Sequence, residues 1–277
     1  MQTKNHLPHT ARPASPLRHL AIAAALCVSA PAAFAQAFDV VRLLGAAPDR
    51  DSGRVGAVAI VGPKYMGSDE TGALALPALD YQWRNGWFAG TGNGIGYNFS
   101  PTQETQYGLR VTADIGRRQS RSDALNGMGN VNPRPEVGGF LNYAINRQTV
   151  LTSSLRYGAG NDSDGLVVDL GVAWSTSLAP MWRLGLGVTG TVVNSSYMQS
   201  YFGVTPAQSA SSGYAAYTPG SGWRDVRANA ALTWQINPRT VMSFGLSAST
   251  LLGSAKDSPL NLQTNALSGV VAVLYGF

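Results

Sequence analysis

The chain has 277 residues, 44% of them apolar and only 13% charged, with a mean hydropathy of −0.03 and a formal charge of +5. Lys4, Arg12, Arg18, the single Cys27 and all three histidines fall in the first 35 residues, so residues 36–277 hold neither Cys nor His and carry a charge of +2. This excludes disulfides, thiol and imidazole metal sites, and every Ser-His or Cys-His nucleophile from that part, and it removes the basic balance that would point to nucleic acid.

The N-terminus predicts export. Lys4, Arg12, Arg18 and His19 precede an apolar run from Leu20 to Ala30, and Ala33-Phe34-Ala35 is a small-x-small site, so cleavage is expected after Ala35. Residues 1–35 read as a signal peptide and 36–277 as one mature domain. The run is too short for a membrane helix, which needs about 20 residues, and no later segment is long enough. A membrane-spanning form must then be a closed barrel.

From there the chain reads as strands and turns. Phe38 to Leu44 suits a short strand, Pro48 to Gly53 a turn, and Arg54 to Gly62 a strand of small residues. Leu79, Tyr81 and Trp83 alternate with Asp80, Gln82 and Arg84 up to the Asn85-Gly86 turn, and Pro77 suits the start of that strand. Gly90, Gly92, Gly94 and Gly96 share one face of the next strand, giving a smooth inner face or a sharp bend. Their spacing and the lack of a following helix exclude a dinucleotide fingerprint. Tyr107 to Ile115 sets an apolar row against Arg110, Thr112 and Asp114. The arginine-bearing loop Gly116 to Pro135 fits either phosphate head groups or a solvated loop.

Strands are predicted at Glu136 to Ile145, Val150 to Gly158, Leu166 to Thr176 and Trp182 to Val192. Asn161 to Gly165 lacks the length and the terminal Glu of a calcium loop. Asn194 to Gly222, the longest irregular stretch, is a candidate for partner contact. Val226 to Ile236 and Met242 to Ala248 alternate cleanly. In the last strand Leu267, Val271, Val273, Tyr275 and Phe277 share one row, which suits a lipid-facing strand with interfacial aromatics and resembles the C-terminal signal read by the barrel-assembly machinery. The six tryptophans fall near strand ends, as in an aromatic girdle.

An antiparallel up-and-down transmembrane β-barrel follows, with twelve strands if Phe38 to Leu44 is counted and ten as the alternative. Its lumen row would hold Arg84, Arg110, Arg156, Arg183 and Arg227 with Asp80, Asp114, Glu136, Asp169 and Asp225. These either pair across the lumen or line water. Loops 116–135, 159–165, 194–222 and 253–264 are expected outside and the Asn146 and Asn237 turns inside.

Tyr65-Met66-Gly67-Ser68-Asp69, Gly116-Arg117-Arg118, Gly127-Met128-Gly129-Asn130-Val131, Ser200 to Gln208 with Ser212-Gly213, and Gly253 to Pro259 together resemble the successive signatures of the MipA/OmpV family. Tyr201-Phe202-Gly203-Val204 is the most specific of them and the candidate partner-binding segment. Asn130 and Ser254 depart from the acids common there. The resemblance implies an outer-membrane barrel of a Gram-negative bacterium in contact with membrane lipid. For the name-giving member it also implies a scaffold between a lytic transglycosylase and a murein synthase. It carries over no catalytic residues and no cofactor. A non-enzymatic scaffold is the favoured function, with a small-solute pore or a surface adhesin as alternatives.

Overall fold

The computed structural model describes residues 48–102 and 104–277. The expected cleavage site at Ala35 and the expected strand Phe38 to Leu44 lie outside them. Alternation with period two sends one row of side chains to each face of a strand. The chain uses it in β1 (Ser52–Pro63), β2 (Thr71–Gln82), β3 (Trp87–Gly90), β4 (Gly94–Asn98), β5 (Thr105–Asp114) and β6 (Arg134–Ala144). The second half supplies β7 (Thr149–Ala159), β8 (Gly165–Ala179), β9 (Trp182–Val193), β10 (Gly222–Asn237), β11 (Thr240–Leu251) and β12 (Asn265–Gly276). Each strand pairs antiparallel with its chain neighbour, and β1 closes on β12 from Arg54↔Gly276 to Val61↔Gly269. The result is a closed barrel of twelve strands.

The count of twelve is reached without Phe38 to Leu44. The glycine-rich segment expected as one strand is two, β3 and β4, reversed at Thr91-Gly92-Asn93. Gly94 explains the reversal: its φ is 75°, and a Cβ there would lie 2.1 Å from the Val111 carbonyl oxygen. Pro77 lies well inside β2 instead of at its start.

The outward rows are apolar and open, with Leu109, Ile95, Leu246 and Leu267 each about three-fifths exposed or more. A continuous apolar band of this kind suits hydrocarbon, since water-soluble chains rarely expose one. At one end of the barrel the strands are joined by short turns. Asn146 Oδ1 accepts from the N–H groups of Gln148 and Thr149, and Asn237 Oδ1 does the same for Arg239 and Thr240. Aromatic rings ring that end, among them Tyr81 with Trp83 at 4.6 Å, Trp87 with Tyr97 at 5.4 Å and Trp182 stacked on Trp234 at 5.4 Å. The seam is sealed there too, where Phe277 and Gly53 exchange backbone hydrogen bonds of 3.0 and 3.2 Å. The opposite end carries the long connections, and these fold inward.

Candidate functional site

Inward positions on β5 to β10 bring together most of the charges expected in the lumen. Arg156 on β7 donates to Asp169 on β8 at 2.8 Å and approaches Glu136 on β6 at 3.6 Å. Arg227 on β10 reaches Asp169 at 3.3 Å and its own neighbour Asp225 at 3.4 Å. Thr112 and Thr191 donate to Glu136 at 3.1 Å and Asp169 at 2.7 Å. All of these side chains are buried or nearly so. Planar guanidinium groups suit such a row because each can offer donors to two carboxylates at once.

The row extends to a residue that alternation conceals. The β9–β10 register slips between Trp223 and Asp225, so Arg224 is the extra residue of a β-bulge and, like Asp225, is buried instead of facing out. Its Nε donates to Asp225 and its Nη1 donates to the Tyr197 hydroxyl at 2.8 Å, with the guanidinium 5.3 Å from the Tyr197 ring centroid. Tyr197 stacks on Tyr201 at 4.6 Å, and the Tyr201 hydroxyl donates to Asp114 on β5. Asp114 also accepts from the N–H groups of Gly116 and Gly160. A chain of ion pairs, hydrogen bonds and one ring stack therefore runs from β5 round to β10 and returns to β5 through one helix.

That helix, α1 (Ser195–Phe202), starts at the Asn194 cap, whose side chain accepts from Tyr197 N–H. With α2 (Pro206–Ser212) and α3 (Gly253–Lys256) it forms a cap on the long-loop end. Met198, Phe202 and Ala255 are completely buried in it, packed with Val131, Val167 and Val193. A second apolar cluster joins Met128, Val204 and Leu260 from three different loops. Hydrogen bonds stitch the loops: Arg117 Nη1 to Tyr201 O at 2.7 Å, Gln208 Nε2 to Met128 O at 2.7 Å, Ser258 Oγ to Phe202 O at 2.6 Å and Leu262 N to Gly67 O at 2.8 Å. Burial pushes the Tyr201 hydroxyl well above the ordinary tyrosine range, reinforced by Tyr197 and the Asp114 carboxylate. Burial also lowers the Arg117 guanidinium.

Tyr201, Phe202, Gly203 and Val204, expected to meet a partner, form the packed centre of this cap, with Tyr201 at 4% and Val204 at 1% exposure. A partner at this end would meet other loop residues unless the cap opened. Arg110 donates to Ser154 at 2.8 Å from within the barrel. Arg84, expected in the lumen, lies exposed in the β2–β3 turn because β2 ends at Gln82, and Arg183 sits exposed at the start of β9. Among the described residues no group of three or more metal-ligating side chains occurs. Arg224 was hidden in the sequence. Its signal is Trp223-Arg224-Asp225, in which an outward Trp and an inward Asp leave one residue too many between them.

A family model described as MltA-interacting protein MipA matches residues 55–277. No curated protein matches the chain. Among solved structures, an outer membrane channel from Pseudomonas putida F1 is similar over 87% of this chain and 98% of its own, with 10% identity and a TM-score of 0.44. The outer membrane channel DcaP of Acinetobacter baumannii is similar over 82% and 96%, with 8% identity and a TM-score of 0.37. The toluene transporter TodX of Pseudomonas putida is similar over 91% and 92%, with 11% identity and a TM-score of 0.37.

Proposed function

This chain belongs to the MltA-interacting protein MipA family and is an outer-membrane β-barrel, and from that premise we propose that it acts by being bound, as a platform for murein enzymes, and not by conducting solutes. The observation that carries the reading is the cap: Met198 and Phe202 fill the mouth with completely buried side chains, and the arginine–carboxylate row crosses the wall beneath them. A conducting barrel keeps a water-filled lumen, whereas this one spends its longest loop on closing itself.

With long loops outside and short turns inside, the capped end faces the medium and the turn end faces the periplasm, where murein enzymes work. That end exposes Arg84, Arg147, Arg183 and Arg239, which suit an acidic face on a lytic transglycosylase or murein synthase. The reading includes export by the signal peptide ending at Ala35 and recognition of Tyr275 and Phe277 by the assembly machinery.

A photo-crosslinker at Arg147 in intact envelopes is expected to capture a murein enzyme, and one at the exposed Ala216 in the cap is expected not to. Failure of both, together with a stable open conductance of the refolded protein in a planar bilayer, would replace the platform with a pore.

A further inference from the structure

The barrel wall is not equally tall all the way round. β3 and β4 have 4 and 5 residues, between β2 with 12 and β5 with 10. Pairing of β2 with β3 covers Asp80, Tyr81 and Gln82, and Thr91 extends it by one residue, its N–H donating to Leu79 O at 2.8 Å and its hydroxyl accepting from Leu79 N–H at 3.3 Å. Beyond Leu79, among the described residues, no strand pairs with Thr71 to Ala78 on that side, although β1 covers the other side completely. β4 likewise stops beside Val111, short of the end of β5. The low Gly90-Thr91-Gly92-Asn93-Gly94 reversal is the sill of the resulting gap.

Just inside the gap the lumen changes character. Leu74 and Leu76 face inward beside Ile60 and Val58, and Val270 of β12 continues the patch. This apolar stripe lies on β12, β1 and β2, away from the charged row on β6 to β10. Outside, the gap opens on the apolar band at Ile95 and Val111, both exposed. The packed cap covers the mouth at the long-loop end.

We propose that the gap is a lateral window and that an acyl chain of a bilayer lipid passes through it to lie on the stripe of Val58, Ile60, Leu74, Leu76 and Val270. An open strand edge within a membrane must line a cavity or find polar partners, because unpaired backbone groups in hydrocarbon are costly. The edge of β2 offers N–H groups to ester and phosphate oxygens and C=O groups to head-group N–H or O–H donors, and the stripe behind it takes the alkyl chain. Pro77, which has no N–H, reduces the number of donors along this edge. The occupant comes from the bilayer because the gap joins the stripe to the lipid-facing band at Ile95 and Val111, while the packed cap covers the mouth.

A nitroxide at Leu76→Cys, in a Cys27→Ser background and in liposomes, tests this. It is expected to be accessible to dissolved oxygen at the level of the lipid-facing control Leu109→Cys, and to be shielded from a water-soluble nickel chelate. Nickel access would mean a watery lumen, and shielding from both probes would mean that protein fills the gap; either overturns the window. A fluorophore at the same cysteine is expected to be quenched by phospholipid brominated in its acyl chain. Quenching only by free brominated stearate would overturn the lipid assignment. Leu74→Cys, on the same inward row, supplies a second site if Leu76→Cys does not assemble.

Discussion

Arg224 shows how much one side chain can hold when it is completely buried. It joins Asp225 to Tyr197 and so ties the wall to the cap. Breaking a buried ion pair by removing one partner typically costs about 3–5 kcal/mol, because the other charge stays behind. Arg224→Ala should therefore lower the urea midpoint of the refolded barrel far more than Arg118→Ala, whose side chain is exposed, and equal losses would show that the circuit is decorative. Tyr201 makes a prediction about pH. Its hydroxyl is held neutral in the cap by burial first, then by Tyr197 and Asp114, whereas an opened cap lets it ionise at the ordinary value of about 10. The stabilisation is thus complete below about pH 10 and declines as pH rises toward the folded value. Proteolysis near Ala216 should accelerate above about pH 10 in the wild type, and Tyr201→Phe should flatten that step; an unchanged alkaline profile in the variant would assign it elsewhere.

Among the elements, the strands were legible because a wall with lipid on one side and side chains on the other imposes a clean period of two. Leu267, Val271, Val273 and Tyr275 fall outward as their spacing implies. Two features broke the pattern for opposite reasons. Alternating glycines gave β3 and β4 no side chains from which to read a reversal, and the bulge at Arg224 put two consecutive residues inside. The cap reads as irregular in the sequence because its order comes from contacts between loops distant in sequence, such as Gln208 with Met128. Its short α2 does carry a local signal, a capping box between Thr205 and Gln208 with Pro206 after it. Thr205→Ala should destabilise it by about 1 kcal/mol, seen as faster hydrogen exchange in α2 alone; exchange that quickens throughout the cap would instead mean that α2 governs the whole. The seam makes a sharper claim. A Cβ on Gly53 would lie 2.6 Å from the Phe277 ring and 2.7 Å from Tyr81, whereas one on Gly269 meets nothing nearer than 3.9 Å. Gly53→Val should reduce the heat-resistant folded fraction on gels while Gly269→Val leaves it intact, and the reverse ranking would remove the terminal ring from the closure.

At the scale of the whole molecule, the paired interior predicts low conductance. Arg227→Ala removes a partner from both Asp169 and Asp225 and should raise leak in planar bilayers above the wild type, as should Asp225→Ala. A wild-type barrel that is already open and stable would contradict the occluded interior. The cap has a further consequence, in time. It is stitched from residues as early as Gly67 and as late as Leu262, and the last of these come just before β12, which closes the seam. A chain stalled during insertion would therefore leave Met198 and Phe202 uncovered, presenting a greasy segment that envelope proteases can grip. The finished barrel hides the same residues completely, so exposure of this one stretch is expected to mark an unfinished molecule.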